Sequence, residues 1–341
     1  MLTDVERRRL AADFELYSRM CLKIRDPLGN KLPLVLTSAQ QHVHERLELQ
    51  RKTKRNVRAI ILKGRRARLS TYVCARNFHR LTHTEGYRVL TLTHLDTTSD
   101  VLFKMVKLFN DDLPDVVRPT VSKQTDNVIE YGMIGSSMKT ATAGSPKVGH
   151  GDGLQALHWS EVAHSRNQQE MLTGLMQAVP LYGTEICLES TSAGKGGLFH
   201  SYYQAAVAGD IDYEPIFVPW FWTPDQVADL VDLTVDERDY AGVYGISNEH
   251  MAWRRIKISE FLASGDAATD EQASILFQQS YPSSSQEAFE SEDSGSFIPV
   301  TMVIAAQNRK VEHSGMPICA GLDVGGDGEK DTTVTQRYGL A

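Results

Sequence analysis

Short apolar runs alternate with longer helical patterns through most of the chain. Four of these runs have the length and side-chain types of buried strands: Val57–Leu62, Arg88–Thr93, Leu154–Trp159 and Thr184–Leu188. Strands that alternate with helices predict an α/β fold with a mainly parallel sheet covered by helices. Ligands of such sheets bind at the carboxyl ends of the strands. The residues at these ends are Lys63, Thr93, Glu161 and Ser190.

Further elements are predicted outside these four runs. Apolar residues at helical spacing predict one amphipathic helix over Asp4–Arg25. Thr37 or Ser38 is placed to cap the next helix. Alternating segments at Asn127–Tyr131 and Ser137–Ala141, on either side of a glycine-bounded turn, predict a short hairpin.

The composition changes after Glu214, where aromatic residues and prolines become frequent. This part predicts a short strand and then helices over Asp225–Leu233 and Asn248–Ser264. The Ser- and Glu-rich stretch Tyr281–Ser296 is typical of a linker. Beyond it, Ile318–Val324 has the pattern of another apolar strand.

Composition and charge exclude several classes of protein. With 341 residues, of which 41% are apolar and 23% charged, the chain can bury one large α/β domain and a second element. A net charge of −7 gives no general attraction to nucleic acid, so any DNA contact depends on local basic patches. The 4 cysteines form no metal-ligand or disulfide pattern, and no apolar run can span a bilayer. We therefore expect a cytosolic protein without a membrane partner.

The stretch after the first strand has the order of a phosphate-binding P-loop. Its residues are Lys63, Gly64, Arg65, Arg66, Ala67, Arg68 and Leu69, followed by the hydroxyls of Ser70 and Thr71 at the start of a helical pattern. In a P-loop, backbone N–H groups and a helix N-terminus bind anionic oxygens, and the hydroxyl binds Mg²⁺. A basic surface turn between a strand and a helix would contain the same residue types. The loop alone leaves both interpretations open.

The loop also departs from the pattern G-x-x-x-x-G-K-[ST]. Ser70 takes the hydroxyl position, but Leu69 stands at the lysine position, Arg68 at the second glycine and Lys63 at the first. The positive charge has therefore moved to the start and middle of the loop. A side chain at a position that requires positive φ costs about 1–2 kcal/mol, and Arg68 is predicted to crowd a bound phosphate.

Glu161 is the strongest candidate for a catalytic residue. The sequence LHWSEV ends an apolar strand in a hydroxyl, Ser160, and a carboxylate, as a Walker B strand does. An acidic group there holds Mg²⁺ or its water, and a following glutamate polarises the attacking water. Ser160 stands where an aspartate is usual and could hydrogen-bond a metal-bound water. The alternative is an ordinary glutamate at a strand end, and only the loop upstream favours the catalytic role.

Five segments in this order resemble the large terminase subunit of tailed bacteriophages: KGRRARLST, LHWSEVA, ESTSAGKGGLF, YPSSSQEAF and GLDVGGDGEKD. The resemblance extends from about Leu34 to Gly339. It implies an ATP- and Mg²⁺-dependent DNA-packaging motor, in which an ASCE-type ATPase precedes an RNase H-like nuclease. The ranges implied are an N-terminal helical region (1–50), an ATPase core (51–213), an ATPase subdomain with linker (214–296) and the start of the nuclease (297–341).

The resemblance also implies roles for individual residues. Gln40, with Gln41 as the second choice, would read adenine, and Glu161 would be the catalytic base. The loop residues Lys63, Gly64, Arg65, Arg66, Arg68, Ser70 and Thr71 would bind nucleotide, with Ser70 also on Mg²⁺. Ser190, Thr191 and Ser192 would sense the γ-phosphate as a coupling motif. Asp323, with Asp331 as a weaker candidate, would be the first metal-binding carboxylate of the nuclease.

Three departures from this family put activity in question. Arg68 stands where a glycine is usual, and His150 stands where the family carries an arginine that could act in trans. Loss of such an arginine lowers turnover by about 10³–10⁵-fold. Two-metal cleavage needs several carboxylates, and the sequence ends soon after the first strand of that domain, so we expect no nuclease activity.

Two functions therefore remain open from the sequence. The first is an ATPase that drives double-stranded DNA into a procapsid, acting in the host cytoplasm as a homo-oligomeric ring with a portal protein and a small terminase subunit. The second is a hydrolysis-deficient remnant that binds nucleotide and acts in assembly. A helicase-like ATPase would be a third, but helicase-specific strand-separating motifs are not evident in the sequence.

Overall fold

The computed structural model describes residues 3–26, 28–144 and 153–289, and the strands 318–323 and 333–338. The chain divides into two compact units, Met1–Gly295 and Ser296–Ala341. The range 297–341, predicted as the start of a nuclease, lies within the second unit. In the parts of the chain that are described, no helix is long and apolar enough to cross a membrane.

The first unit alternates strands and helices. Its strands are β1 (Lys23–Arg25), β2 (Lys31–Pro33), β3 (Val57–Lys63), β4 (Arg88–Thr93), β5 (Lys123–Gln124), β6 (Val128–Tyr131), β7 (Ser136–Thr142), β8 (Ala156–Ser160), β9 (Glu185–Ser190) and β10 (Glu214–Val218). Its helices are α1 (Asp4–Ala12), α2 (Phe14–Cys21), α3 (Ser38–Lys54), α4 (Leu69–His83), α5 (Asp96–Asp112), α6 (Gln168–Ala178), α7 (Gly197–Ala208), α8 (Val235–Tyr244), α9 (Asn248–Ala263), α10 (Asp270–Ser280) and α11 (Ser285–Ala288).

An eight-stranded sheet forms the centre of this unit, in the order β10-β3-β9-β8-β4-β7-β6-β5. The pairs from β10 to β7 are all parallel, whereas β7 and β6 form the predicted antiparallel hairpin. The predicted mainly parallel α/β fold is therefore confirmed. Strand β9 lies between β3 and β8, so the carboxyl ends of β3 and β8 flank the carboxyl end of β9.

Helices cover both faces of the sheet, as the continuous apolar runs predict. Every residue of β3 is buried, and its side chains alternate between two cores. Ala59 and Ile61 belong to the core that contains residues of α2 to α5. Ile60 and Leu62 belong to the core that contains residues of α6 and α7. The strand that leads into the predicted loop is thus fixed from both sides.

The N-terminal prediction of one helix over Asp4–Arg25 is wrong at Asp13 and at its end, where Lys23–Arg25 forms β1. The chain leaves helical geometry at Asp13, whose carboxylate accepts a hydrogen bond from the backbone N–H of Leu16 as the N-cap of α2. Apolar periodicity continues across the break because Leu10 and Phe14 enter the same core. Thr37, in contrast, caps α3 as predicted, in a capping box with Gln40.

The prediction of a helix directly after the aromatic segment is also wrong. No helix forms over Asp225–Leu233, because polar groups of this segment bond elsewhere: Gln226 donates to the Arg65 carbonyl, and the Ala228 N–H donates to Glu249. The next helix, α8, begins only at Val235. The predicted helix over Asn248–Ser264 corresponds to α9 and is confirmed.

Tyr281–Phe289 is not a linker. The indole of Trp220 donates from Nε1 to Ser283 Oγ at 2.9 Å, and its backbone N–H donates to the Pro282 carbonyl at 3.2 Å. Tyr281 joins a third core together with Trp220 and Phe277 of α10. The rest of the predicted linker lies outside the described residues.

The second unit contains two described strands. They are β11 (Ile318–Asp323) and β12 (Thr333–Tyr338), and they pair antiparallel with Ile318 opposite Tyr338 and Asp323 opposite Thr333. The predicted strand at Ile318–Val324 is therefore confirmed.

Candidate nucleotide site

The loop between β3 and α4 has the strand–loop–helix order that the sequence predicts. Arg66 and Arg68 both adopt the left-handed conformation, with φ of 64° and 57°, so the position that a glycine usually fills is indeed strained here. Arg68 is the N-cap of α4 and makes no capping hydrogen bond with its side chain. The first-turn N–H groups of a 15-residue helix are thus left without a side-chain cap, as an anion site requires.

The backbone at the start of the loop is held by residues from the far end of the first unit. The Gly64 N–H donates to the Val218 carbonyl at 3.0 Å, and the Arg65 N–H donates to the Ser280 carbonyl at 2.8 Å. The Gln226 amide donates to the Arg65 carbonyl at 3.0 Å. The loop is therefore fixed by the same segment that forms the third core.

Gly64 allows a close approach of two backbones. A Cβ at this position would lie 2.9 Å from both Cα and Cβ of Trp220, which is too close for any real side chain. Glycine is therefore needed here because it leaves space for Trp220. The φ of Gly64 is not in the left-handed region, so conformational freedom is not the reason.

Gln40 is tied to the loop by its side-chain amide. Its Nε2 donates to the Arg68 carbonyl at 2.8 Å, and its Oε1 accepts from the Thr37 N–H at 3.1 Å. The side chain is buried, whereas that of Gln41 is more exposed and bonds to Glu15. Gln40 thus connects the cap of α3 to the N-terminus of α4.

The three arginines of the loop are exposed. The Arg68 guanidinium pairs with the carboxylate of Asp225. Its side chain is therefore directed toward the segment after β10. A cleft of about 1100 Å³ opens beside it, lined among others by Gln40, Arg68, Thr71 and Asp225.

The centre of the site is a buried ion-pair cluster at the strand ends. Lys63 Nζ lies 3.0 Å from Glu161 Oε1 and 3.1 Å from Glu189 Oε2. The side chains of Lys63 and Glu189 are 7% and 0% exposed, so this ammonium bridges two carboxylates almost out of contact with solvent. The start of the loop and the end of the Walker B-like strand therefore meet directly.

The charges of this cluster stabilise one another. Burial by itself lowers the pKa of Lys63, but the Glu161 and Glu189 carboxylates outweigh it and the pKa is raised. Burial raises the pKa of Glu161 and Glu189, but the Lys63 ammonium outweighs it and both pKa values are lowered. All three groups are therefore charged near neutral pH.

The coupling-motif residues bind the other oxygen of Glu161. Its Oε2 accepts from the Thr191 N–H at 3.3 Å, and from the hydroxyls of Thr191 and Ser190 at 3.4 Å each. Glu161 itself adopts the left-handed conformation, with φ of 58°, directly after β8. A strained backbone held by several groups is frequent at functional sites, and here it turns the carboxylate toward β3 and β9.

The two predicted metal hydroxyls also come together. Ser70 Oγ, at the start of α4, lies 3.3 Å from Ser160 Oγ, at the end of β8. No group of three or more His, Cys, Asp or Glu side chains able to hold a metal ion occurs in the described parts of the chain. The hydroxyls of Ser70 and Ser160 would bind a cation together with water and oxygens of a ligand.

The remaining predicted residues lie apart or are not described. The Ser192 hydroxyl accepts from the Gly194 N–H within its own turn. His150 and Asp331 lie outside the described residues, and for Asp323 only the backbone strand is described.

Sequence reasoning missed Glu189 and its partner His158. His158 Nε2 lies 3.0 Å from Glu189 Oε1, and both side chains are fully buried. Each is a polar residue inside an apolar strand, and this position in the sequence could have marked both as candidates for the site. Glu189 is also the first residue of the polar segment ESTSAGKGGLF, in which only the residues after it were assigned a role.

Comparison with solved structures identifies the architecture. The large terminase of bacteriophage HK97 superposes with a TM-score of 0.55 at 14% sequence identity, covering 82% of this chain. The chain has the fold of a bacteriophage large terminase. It spans 55% of the length of the HK97 protein.

Two other large-terminase structures resemble the chain more distantly. The ATPase domain from Thermus phage P74-26 gives a TM-score of 0.45 at 14% identity, over 73% of this chain and 93% of that domain. The large terminase of the thermophilic bacteriophage D6E gives a TM-score of 0.42 at 12% identity, over 62% of this chain and 51% of that protein. No protein-family profile matches the chain, and curated proteins give no significant match.

Proposed function

We propose that the chain is an ATPase of the terminase type, which binds ATP and Mg²⁺ at the loop after β3 and hydrolyses ATP to move double-stranded DNA into a procapsid. The observation that carries the proposal is the meeting of Lys63, Glu161 and the Ser190–Thr191 pair at the ends of three adjacent parallel strands. This is the edge of the sheet where such folds bind ligands.

The donor set fits a magnesium nucleotide. The uncapped N-terminus of α4 and the Lys63 ammonium suit phosphate oxygens. Ser70 would hold Mg²⁺ and Ser160 a water on that ion, since their hydroxyls lie together. The cleft beside Gln40 and Thr71 offers space for a base and sugar. Bound Mg²⁺ would neutralise charge that develops on the phosphates.

Glu161 is the proposed general base. Its carboxylate is charged and its Oε2 is oriented by Ser190 and Thr191, so it can accept a proton from a water once Lys63 no longer occupies Oε1. Ser190 and Thr191 would then register any movement of Glu161, which is the coupling role proposed for them.

Turnover of the Glu161→Gln variant tests this function. We expect DNA-stimulated phosphate release to fall by about 10²–10⁴-fold, while ATP binding persists, because only the proton acceptor is lost. Glu170→Gln, the same change on an exposed residue of α6, is the matched control and should leave turnover unchanged. Equal activity of the Glu161→Gln variant and the wild type would refute the role of Glu161.

A hydrolysis-deficient assembly protein is the second candidate. The observation that favours it is the ion pair between Lys63 and Glu161, which engages the proposed base. Arg68 at a left-handed loop position points the same way. Nucleotide binding without turnover in the wild-type chain, with retained binding to a portal protein, would select this candidate.

The wider role follows from the motor proposal. We propose a homo-oligomeric ring on a portal protein, a small terminase subunit as the partner, and action in the host cytoplasm. Residues 297–341 would begin an RNase H-like nuclease with Asp323 as its first metal ligand, and we expect no DNA cleavage by this chain. Incubation of linear and circular DNA with Mg²⁺ or Mn²⁺ tests that expectation.

A further inference from the structure

Glu189 is a fully buried carboxylate at the centre of the candidate site, with no role in the function proposed above. One oxygen lies 3.1 Å from Lys63 Nζ and the other 3.0 Å from His158 Nε2. Its side chain is 0% exposed. A carboxylate placed so deeply is costly unless it is paired, and both of its oxygens are.

Three consecutive residues at the end of β9 contact Lys63 and Glu161. Glu189 contacts the Lys63 ammonium, while Ser190 and Thr191 contact the Glu161 carboxylate. The register places Ser160 opposite Glu189 and Leu62 opposite Ser190, so the ends of β8 and β3 flank this segment directly. Lys63 therefore has two carboxylate partners, of which Glu189 is the more deeply buried.

We propose that Glu189, fixed by His158, is a positioning residue that keeps a permanent counter-charge on Lys63, so that the ammonium can exchange Glu161 for a phosphate oxygen. This inference rests on the proposed ATPase function. If Glu161 were the sole carboxylate partner of Lys63, the ammonium would have to lose that partner before Glu161 could act as the base. With Glu189 in place, Lys63 stays paired throughout the exchange.

Loss of the Glu189 charge has opposite effects on binding and turnover. With Glu161 as its sole carboxylate partner, Lys63 holds the proposed base more firmly, and turnover falls. At the same time one negative charge disappears beside the loop, so attraction for an anionic ligand is kept or increased. A purely structural role would reduce binding and turnover together, in proportion to the folded fraction.

The first experiment measures this split in Glu189→Gln. We expect kcat for ATP to fall by about 10²-fold, with the Kd for MgATP unchanged or lower. Glu185→Gln is the matched control: Glu185 lies on the same strand, is almost as buried, and pairs with Arg76 at the opposite end of the sheet. It should lower the melting temperature while folded protein keeps its kcat and Kd. Parallel losses of binding and turnover in Glu189→Gln, or no change in either, would overturn the proposal.

A second readout does not depend on nucleotide. In protein labelled with ¹⁵N at lysine side chains, an ammonium bridged by two buried carboxylates should exchange its hydrogens slowly and give a resolved signal, which Lys63→Arg assigns. We expect that signal in the wild type and in Glu185→Gln, and its loss or broadening in Glu189→Gln. A signal that is absent from the wild type, or unchanged in Glu189→Gln, contradicts the positioning role.

The kinetic measurements and the lysine signal together distinguish a failure of the proposed ATPase function from a failure of the proposed role of Glu189. If the wild type neither binds nor hydrolyses ATP, the proposed function fails, and the lysine signal then tests only whether Glu189 keeps Lys63 paired. If Glu189→Gln does not fold, Glu189→Asp keeps the charge but is one methylene too short. It should then show about a tenfold loss of kcat at unchanged Kd, since small misplacements of active-site groups are costly. A kcat equal to that of the wild type would overturn the proposal.

Discussion

Several residues in and beside the loop make contacts that the P-loop pattern does not predict. Lys63, at the place of the first P-loop glycine, ends a strand and enters a buried ion-pair cluster. Gly64 provides room for another backbone. Gln40, predicted to read adenine, bonds to the loop carbonyl of Arg68. The chemistry of the loop thus depends on contacts from outside it.

Gly64→Ala should destabilise the fold. The added methyl group would lie 2.9 Å from the backbone of Trp220, so loop or strand must shift, at a cost of about 1–3 kcal/mol. Chemical denaturation of the variant and the wild type measures this difference.

Gly174→Ala is the matched control for that substitution. Gly174 lies within α6 with nothing within 4 Å of an added Cβ, so alanine should raise stability by about 0.5–1 kcal/mol through helix propensity. Equal effects at both glycines would show that the contact with Trp220 is not tight.

At the scale of elements, the N-terminal helices are joined to α4 through a buried histidine. His79 Nε2 lies 2.9 Å from the carbonyl of Leu10 in α1, and its ring lies against Tyr17 of α2. Burial lowers the pKa of His79 to about 3, with a further contribution from the neighbouring His83. Neutral His79 donates the hydrogen bond, and protonation in this environment is unfavourable.

Stability should therefore fall as the pH decreases through the range between the two pKa values of His79. Below about pH 6.5 the unfolded chain takes up a proton that the native chain refuses until about pH 3. One such group contributes a slope of up to about 1.4 kcal/mol per pH unit. Urea unfolding between pH 4 and about 6.5 measures it. His79→Gln, which keeps a donor for Leu10, should flatten the slope, and an unchanged slope would show that His79 is not the group responsible.

The sequence predicts the strands well because a buried parallel strand is a continuous apolar run. It also predicts Lys63, Glu161 and Ser190 at the strand ends, where chain order and polarity coincide. The break at Asp13 is hidden because Leu10 and Phe14 enter one core on either side of it. Tertiary bonds decide the rest: Gln226 reaches the loop instead of forming a helix, and Glu189 finds partners on two other strands.

At the scale of the whole molecule, the candidate site and all three cores lie within the first unit, Met1–Gly295. The described part of the second unit is a two-stranded pair. The described residues that would bind and orient the proposed nucleotide therefore all belong to the first unit.

A chain that ends at Gly295 should fold and bind MgATP with the affinity of the longer chain. Calorimetric titration and thermal unfolding of both forms provide the measurement. Aggregation of the shorter form, or a clear loss of affinity, would show that the second unit supports the site.

The tight fit of Gly64 on Trp220 has a mechanical consequence. Trp220 stacks on Trp253 of α9 with ring centroids 5.4 Å apart, and it meets Phe277 of α10 edge to face at 5.4 Å. Close-packed interiors transmit displacement because they have little free volume. A shift of Gly64 toward Trp220 by a few tenths of an ångström would therefore press on these rings and, through Trp253 and Phe277, on helices α9 and α10.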